Sequence, residues 1–126
     1  QVAMARGELV LPPAPLPAYD WVYVRDLVAG LLALLDARDP PHRVVNLATG
    51  IDWAPHAAAC MDALAHSFPG FRWRHAEAGE APTIRWNEVK PRGVMAIARA
   101  AEFGWRPRFA PRDAQADYAA WLLQGP

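Results

Sequence analysis

Cysteine is almost absent from this chain. Cys60 stands alone in 126 residues, so no intrachain disulfide can form and a reducing cytosol is the expected compartment. Net charge is absent too: 13 basic residues balance 13 acidic ones. A neutral chain carries no basic footprint for nucleic acid and no patch for an anionic membrane. No run approaches 18 uninterrupted apolar residues, which excludes a transmembrane helix of ordinary length. The N-terminus lacks the charged-then-apolar layout of a signal peptide. It opens at Gln1, as a truncated, cleaved or internal segment would. His56 and His66 lie ten apart on one predicted helix and so point to different sides, and His75 belongs to another element. These three make no metal set. Lysine is reduced to Lys90 beside twelve arginines, which with abundant Ala suggests coding in a GC-rich bacterium.

What is present suffices for one domain or a piece of a larger one. The apolar share is 53%, much of it Ala, which buries little area per residue. Six Trp compensate. Thirteen Pro fall in clusters between periodic segments. Residues 2–5 read as a short helix end and residues 9–11 as a brief extended run. Pro12, Pro13, Pro15 and Pro17 make the rest of residues 1–18 a Pro-rich loop. Residues 21–24, aromatic and β-branched, predict a short strand. Asp26 is placed to cap a helix carrying Leu27, Leu31, Leu34 and Leu35 on one face, ending before Pro40-Pro41. Residues 43–48 are apolar except for Asn46 and predict a strand buried on both sides. Asp52 is placed to cap a second helix, with Pro55 in its first turn and Ala57, Cys60, Met61, Leu64, Ala65 and Phe68 inward. Residues 71–75 alternate apolar and basic, as a half-exposed strand does. Residues 76–92 predict an irregular loop. Residues 94–103 predict a helix with Val94, Ile97, Ala98 and Ala101 inward. Gly104 then supplies φ > 0 at its C-terminus, and Pro107 blocks continuation. Pro111 opens a last helix with Ala114, Tyr118, Trp121 and Leu122 facing the core.

Three runs carry a family resemblance when taken together: Tyr19-Asp20-Trp21-Val22-Tyr23-Val24-Arg25-Asp26, then Val44-Val45-Asn46-Leu47-Ala48-Thr49-Gly50, then Ala98-Arg99-Ala100-Ala101-Glu102-Phe103-Gly104-Trp105-Arg106-Pro107. In this order and spacing the chain resembles the C-terminal portion of extended short-chain dehydrogenases, the NAD(P)-dependent epimerase/dehydratase family. Residues 19–126 would be the substrate-binding lobe. The resemblance implies an α/β fold: the edge strand of a doubly wound parallel sheet, at residues 44–48, plus a small mixed lobe. It also implies that the Gly-rich cofactor-binding half lies elsewhere. No G-x-x-G-x-x-G cradle occurs here to hold a dinucleotide pyrophosphate. No Tyr-x-x-x-Lys occurs either. The chain alone should therefore be inactive, with no catalytic, cofactor or metal residue, while the parent enzyme would use NAD or NADP.

Individual residues follow from that reading. Arg85, in Ile84-Arg85-Trp86-Asn87-Glu88, aligns with an Arg that holds a substrate phosphate in sugar-nucleotide members of the family. A guanidinium fork suits a phosphate. Arg92 is the nearby substitute. Tyr19 stands where the family often has a second phosphate-binding Arg, which argues against a nucleotide diphosphate-sugar and towards a sugar acid or an aldehyde. Asp26 is expected to be a structural cap and hydrogen-bond hub, Asn46 a structural residue needing a partner if buried, and Gly104 a turn residue. Cys60 falls on the inner stripe of its helix and reads as core. Arg72 and Arg74 read as an exposed strand face. The expected partners are the missing cofactor-binding half and a small-molecule substrate, with self-association possible through exposed apolar surface. The rival reading is a stand-alone, non-enzymatic binding module built on the same lobe.

Overall fold

The computed structural model describes residues 7–39, 41–84 and 93–124. It is mixed α/β. The order is β1 (Glu8–Leu11), α1 (Val24–Asp36), a 3-10 turn (Ala54–His56), α2 (Ala57–Ser67), β2 (Arg72–His75), α3 (Ala98–Glu102) and α4 (Pro111–Gln124). β1 and β2 pair in parallel, with Leu9 opposite Trp73 and Leu11 opposite His75. The other edge of β1 is closed by Thr83: Val10 N–H donates to its Oγ1 at 3.0 Å, and its own N–H donates to Val10 O at 2.8 Å. An open strand edge is thereby satisfied without a third strand.

α2 and α4 pack against each other and over this ribbon. Leu9, Leu11, Phe68, Phe71 and Ala119 form one buried cluster; Trp53, Cys60 and Ala114 form a second. Pro111 begins α4 at no hydrogen-bonding cost, because a first-turn N–H has no partner within the helix; the first bond runs from Ala114 N–H to Ala110 O, at 3.0 Å. α3 ends in a Schellman turn. Gly104 (φ +74°) donates to Ala101 O at 3.0 Å and Trp105 donates to Ala100 O at 3.3 Å. That turn aims Trp105 at α1. Its Nε1–H donates to Asp26 O at 3.0 Å, and its ring meets Gly30. A Cβ at Gly30 would lie 2.9 Å from side-chain atoms of both Trp105 and Leu47.

Long stretches without regular structure are held by carboxylates. Asp20 Oδ1 accepts from Thr49 N–H at 2.9 Å and from the Thr49 hydroxyl at 2.5 Å; its Oδ2 accepts from Gly50 N–H at 2.9 Å and Met95 N–H at 3.0 Å. Asp52 Oδ1 accepts from Ala54 and Tyr19 N–H. Asp26 is fully buried and takes Arg108 and Phe109 N–H at 3.1 Å.

Several sequence expectations are corrected. Residues 21–23 form no strand, and α1 begins at Val24. Asp26 therefore sits inside the first turn of α1 and not at its N-cap, and its carboxylate serves the segment before α4. Residues 43–48 form no strand, and Val44 is 68% exposed. A ladder needs a neighbour, and among the described residues none lies beside this run. Asn46 is exposed and donates to Ala96 O at 3.2 Å. The helix expected over 94–103 is confined to Ala98–Glu102, with Ala100 its innermost residue. Asp20 takes the Met95 N–H, which favours an extended approach. On α1, Leu27 and Leu34 are half-buried around Gly30, whereas Leu31 and Leu35 are exposed. On α4, Ala114 and Ala119 occupy the core while Tyr118 and Trp121 stack on each other at the surface, ring centroids 5.9 Å apart. The expected helix end at residues 2–5 lies outside the described residues.

Replacing Asp20 orphans three N–H groups and a hydroxyl in two separate loops, at residues 49–50 and at Met95. Asp20→Ala is expected to lower the unfolding free energy by about 3 kcal/mol, since each unsatisfied part-buried donor costs roughly 1 kcal/mol or more. Gly104→Ala, which forces a side chain into φ > 0, should cost about 1 kcal/mol. Urea denaturation of the two variants checks both magnitudes and their order.

Candidate functional site

Of the three residues expected to bind substrate, Tyr19 is the one within the described regions, and its placement defines the candidate site. Its backbone is fixed on both sides: its N–H donates to Asp52 Oδ1 at 3.2 Å, and its carbonyl accepts Trp53 N–H at 2.9 Å. Its ring lies 4.7 Å from that of Trp21, and Trp21 lies 6.2 Å from Trp53. The three rings line one side of a cleft of about 250 Å³. Leu9 and Leu11 of β1, with Phe71, line the base. Ala57, Cys60, Met61 and Leu64 of α2 form a second wall, and Gln115, Tyr118 and Leu122 of α4 a third. Leu16 from the Pro-rich loop and Ile84 complete the lining. Arg85 and Arg92 lie outside the described residues; Arg85 follows Ile84 in the chain.

The cleft's electrostatics are those of an apolar space. Among the described residues, no Asp, Glu, His, Lys or Arg lines it. Burial, with lesser contributions from Cys60 and Asp52, pushes the Tyr19 phenol up to about 12. Burial pushes the Cys60 thiol up to about 11. Both groups are neutral at physiological pH. Among the described residues, no cation or base stands beside Cys60 to lower its pKa and make it a nucleophile. Trp53 contributes only ring surface, because its Nε1–H donates to Thr49 Oγ1 at 3.1 Å. That hydroxyl in turn donates to Asp20, so the wall is hydrogen-bonded back to the carboxylate that clamps the loops.

A second, electrostatic feature lies beside the cleft. Tyr23 donates to Asp117 Oδ2 at 2.5 Å, and Arg25 pairs with Asp117 Oδ1 at 2.9 Å, tying α1 to α4. Burial and then this hydrogen bond hold the Tyr23 phenol up at about 12. Arg74 meets Glu80 in a bidentate pair, both bonds 2.6 Å. That bond is the largest of the causes that hold the Glu80 carboxyl down at about 2. Arg72 is exposed and Arg74 half-buried by this pair. Among the described residues, no group of three His, Cys, Asp or Glu is placed to hold a metal, and no helix is long and apolar enough to cross a membrane.

Sequence reasoning did not single out Trp21, Trp53, Thr49 or Asp20 as parts of a site. The available signal was the concentration of aromatics at residues 19–23 together with Trp53, and the two carboxylates Asp20 and Asp52 beside them. No protein-family model matches this chain, and no curated protein matches it either.

Cys60 is a built-in reporter of this environment, being the single thiol. Because burial holds its pKa near 11, alkylation by N-ethylmaleimide should still rise about tenfold per pH unit between pH 9 and 10. An unperturbed thiol would already be levelling off there, with a pKa of about 8.5. Intact-mass kinetics over that interval decide between the two environments.

Proposed function

We propose that this chain is the substrate-binding lobe of a protein of the NAD(P)-dependent epimerase/dehydratase type. On this reading its cofactor-binding half is supplied by residues not in this sequence. The observation that carries the proposal is the way the three resembling runs meet. Asp20 of the first run binds Thr49 and Gly50 of the second. Asp26 of the first accepts Trp105 of the third through its backbone carbonyl. Leu47 of the second and Trp105 of the third close together on Gly30 of α1. Runs that resemble one family's pattern are expected to be neighbours in space if they are parts of one site's scaffold.

The outer side of α1 supports the same reading. Val24, Val28, Leu31, Leu32 and Leu35 recur at helical spacing, and all are exposed, Leu35 to 80%. Val44 continues the apolar surface on the run that resembles the family's outer sheet strand. A stripe of this kind is the mark of a face that another body covers. In the proposed protein that body is the cofactor-binding half, which would also place a strand beside residues 44–48. The parent would bind NAD or NADP there, with the acid/base Tyr and its Lys on the same half. This chain would supply one wall of the pocket for a small-molecule substrate, with Tyr19 in that wall and Arg85 or Arg92 following it. Catalysis, cofactor binding and metal binding belong to none of its residues on this reading, and the protein acts in the cytoplasm.

The test is the mass and cofactor affinity of the product made from the native gene. The expected product is larger than this chain by roughly 150–200 residues, the size of a dinucleotide-binding domain. It should quench or shift NADH emission, while the isolated 126-residue chain should not. A native product of this chain's own length would overturn the proposal and favour the stand-alone binding module.

A further inference from the structure

The cleft at Tyr19 has a composition that selects its occupant. Phosphate and carboxylate groups require cations or converging N–H donors. Putting such a group against unpaired apolar walls costs several kcal/mol. Among the described residues, the side chains that β1, α2 and Phe71 turn to the cleft are all apolar apart from the neutral Cys60 thiol, and the Trp53 N–H is already committed to Thr49. Polar atoms on the α4 wall come from Gln115 and Tyr118 alone. An engineered cavity of about 150 Å³ lined by apolar side chains takes benzene. A cleft of about 250 Å³ has room for two fused rings.

We propose that the cleft between Trp21, Trp53, α2 and α4 binds a neutral, mainly apolar group of about two fused rings, with a single hydroxyl or carbonyl directed to Gln115 and Tyr118. Calling that group part of a substrate rests on the proposed function above; the binding itself does not. The cleft would thus favour a hydrophobic alcohol, ketone or aldehyde over a nucleotide diphosphate-sugar. The aromatic walls Trp21 and Trp53 supply flat, rigid surface at low entropic cost. A second hollow, of about 250 Å³, shares Trp21, Trp53, Gln115 and Tyr118 with the first and ends at Val24. A longer aliphatic substituent could extend into it.

The probe is 2-tetralol, two fused rings bearing one hydroxyl, titrated into the 126-residue chain in parallel with UDP-glucose. The expected result is a saturable shift in tryptophan emission with 2-tetralol only. At saturation, N-ethylmaleimide labelling of Cys60 should slow at least about tenfold. Ala57→Phe, which fills the cleft from α2, should abolish both effects. Leu16→Trp narrows the cleft from the loop side, and reads the same outcome should Ala57→Phe fail to fold by circular dichroism. Absence of saturable 2-tetralol binding overturns the proposal, as does binding unaffected by either folded variant. Protection of Cys60 by UDP-glucose in place of 2-tetralol also overturns it. The two proposals fail separately. A longer, NADH-binding gene product whose lobe ignores 2-tetralol removes only the apolar occupant. Binding of 2-tetralol by a chain that is itself the whole gene product removes only the dehydrogenase reading.

Discussion

The Asp20 carboxylate is the interaction on which the arrangement depends. Among the described residues, regular secondary structure is scarce between α1 and α2 and again between β2 and α3, so their backbone N–H groups have no ladder to enter. Asp20 gathers three of them, from Thr49, Gly50 and Met95, and adds the Thr49 hydroxyl. One side chain thus fixes where the loop after residue 43 and the approach to α3 meet the segment before α1. Asp26 and Asp52 repeat the device at two further junctions. Carboxylates suit this role because each presents several lone pairs and charge-assisted bonds are stronger than neutral ones.

The same pattern explains which parts of the fold were legible in the sequence. Helices α2 and α4, the brief strand at Leu9–Leu11 and the one at Arg72–His75 followed from period and propensity. The Gly104 turn did as well, because a glycine followed by Trp and Pro after an Ala-rich run has few other uses. The failures share one cause. Residues 21–24 and 43–48 have strand composition, but composition only says that a run fits a pleated surface. Whether a partner strand stands beside it is a tertiary fact, and the described residues provide one pair, β1 with β2. Of the two roles expected of Asp26, hydrogen-bond hub and helix cap, the cap fails because sequence shows only its neighbours in the chain. Its carboxylate partners are Arg108 and Phe109, more than eighty residues away.

α1 shows the limit of periodicity from another side. Gly30 meets Leu47 and Trp105, and Leu27 and Leu34 are half-buried, while Leu31 and Leu35 join Val24, Val28 and Leu32 on a stripe open to solvent. A helix apolar on two sides is what a helix between two bodies looks like. Apolar spacing identifies both stripes and cannot say which is covered within this chain. Gly30 carries that information: only the side without a Cβ admits an indole and a leucine this closely.

The cleft and the clamp are parts of one construction. Thr49 gives its hydroxyl proton to Asp20 and is thereby left with lone pairs, one of which receives the Trp53 indole N–H. The indole is then satisfied and held in one orientation, with its ring towards the cleft. Tyr19, adjacent to Asp20, is held through Asp52 and through its carbonyl bond to Trp53 N–H. Two of the three aromatic walls are therefore positioned by the same carboxylate-centred bonds that close the loops. Candidate-site residues could be guessed from sequence only where a family pattern named them, as for Tyr19. The others became visible through connection. The network engages the Trp53 indole N–H and the Thr49 hydroxyl within the protein, so the Trp53 wall offers a ligand in the cleft its ring face and no hydrogen-bond donor.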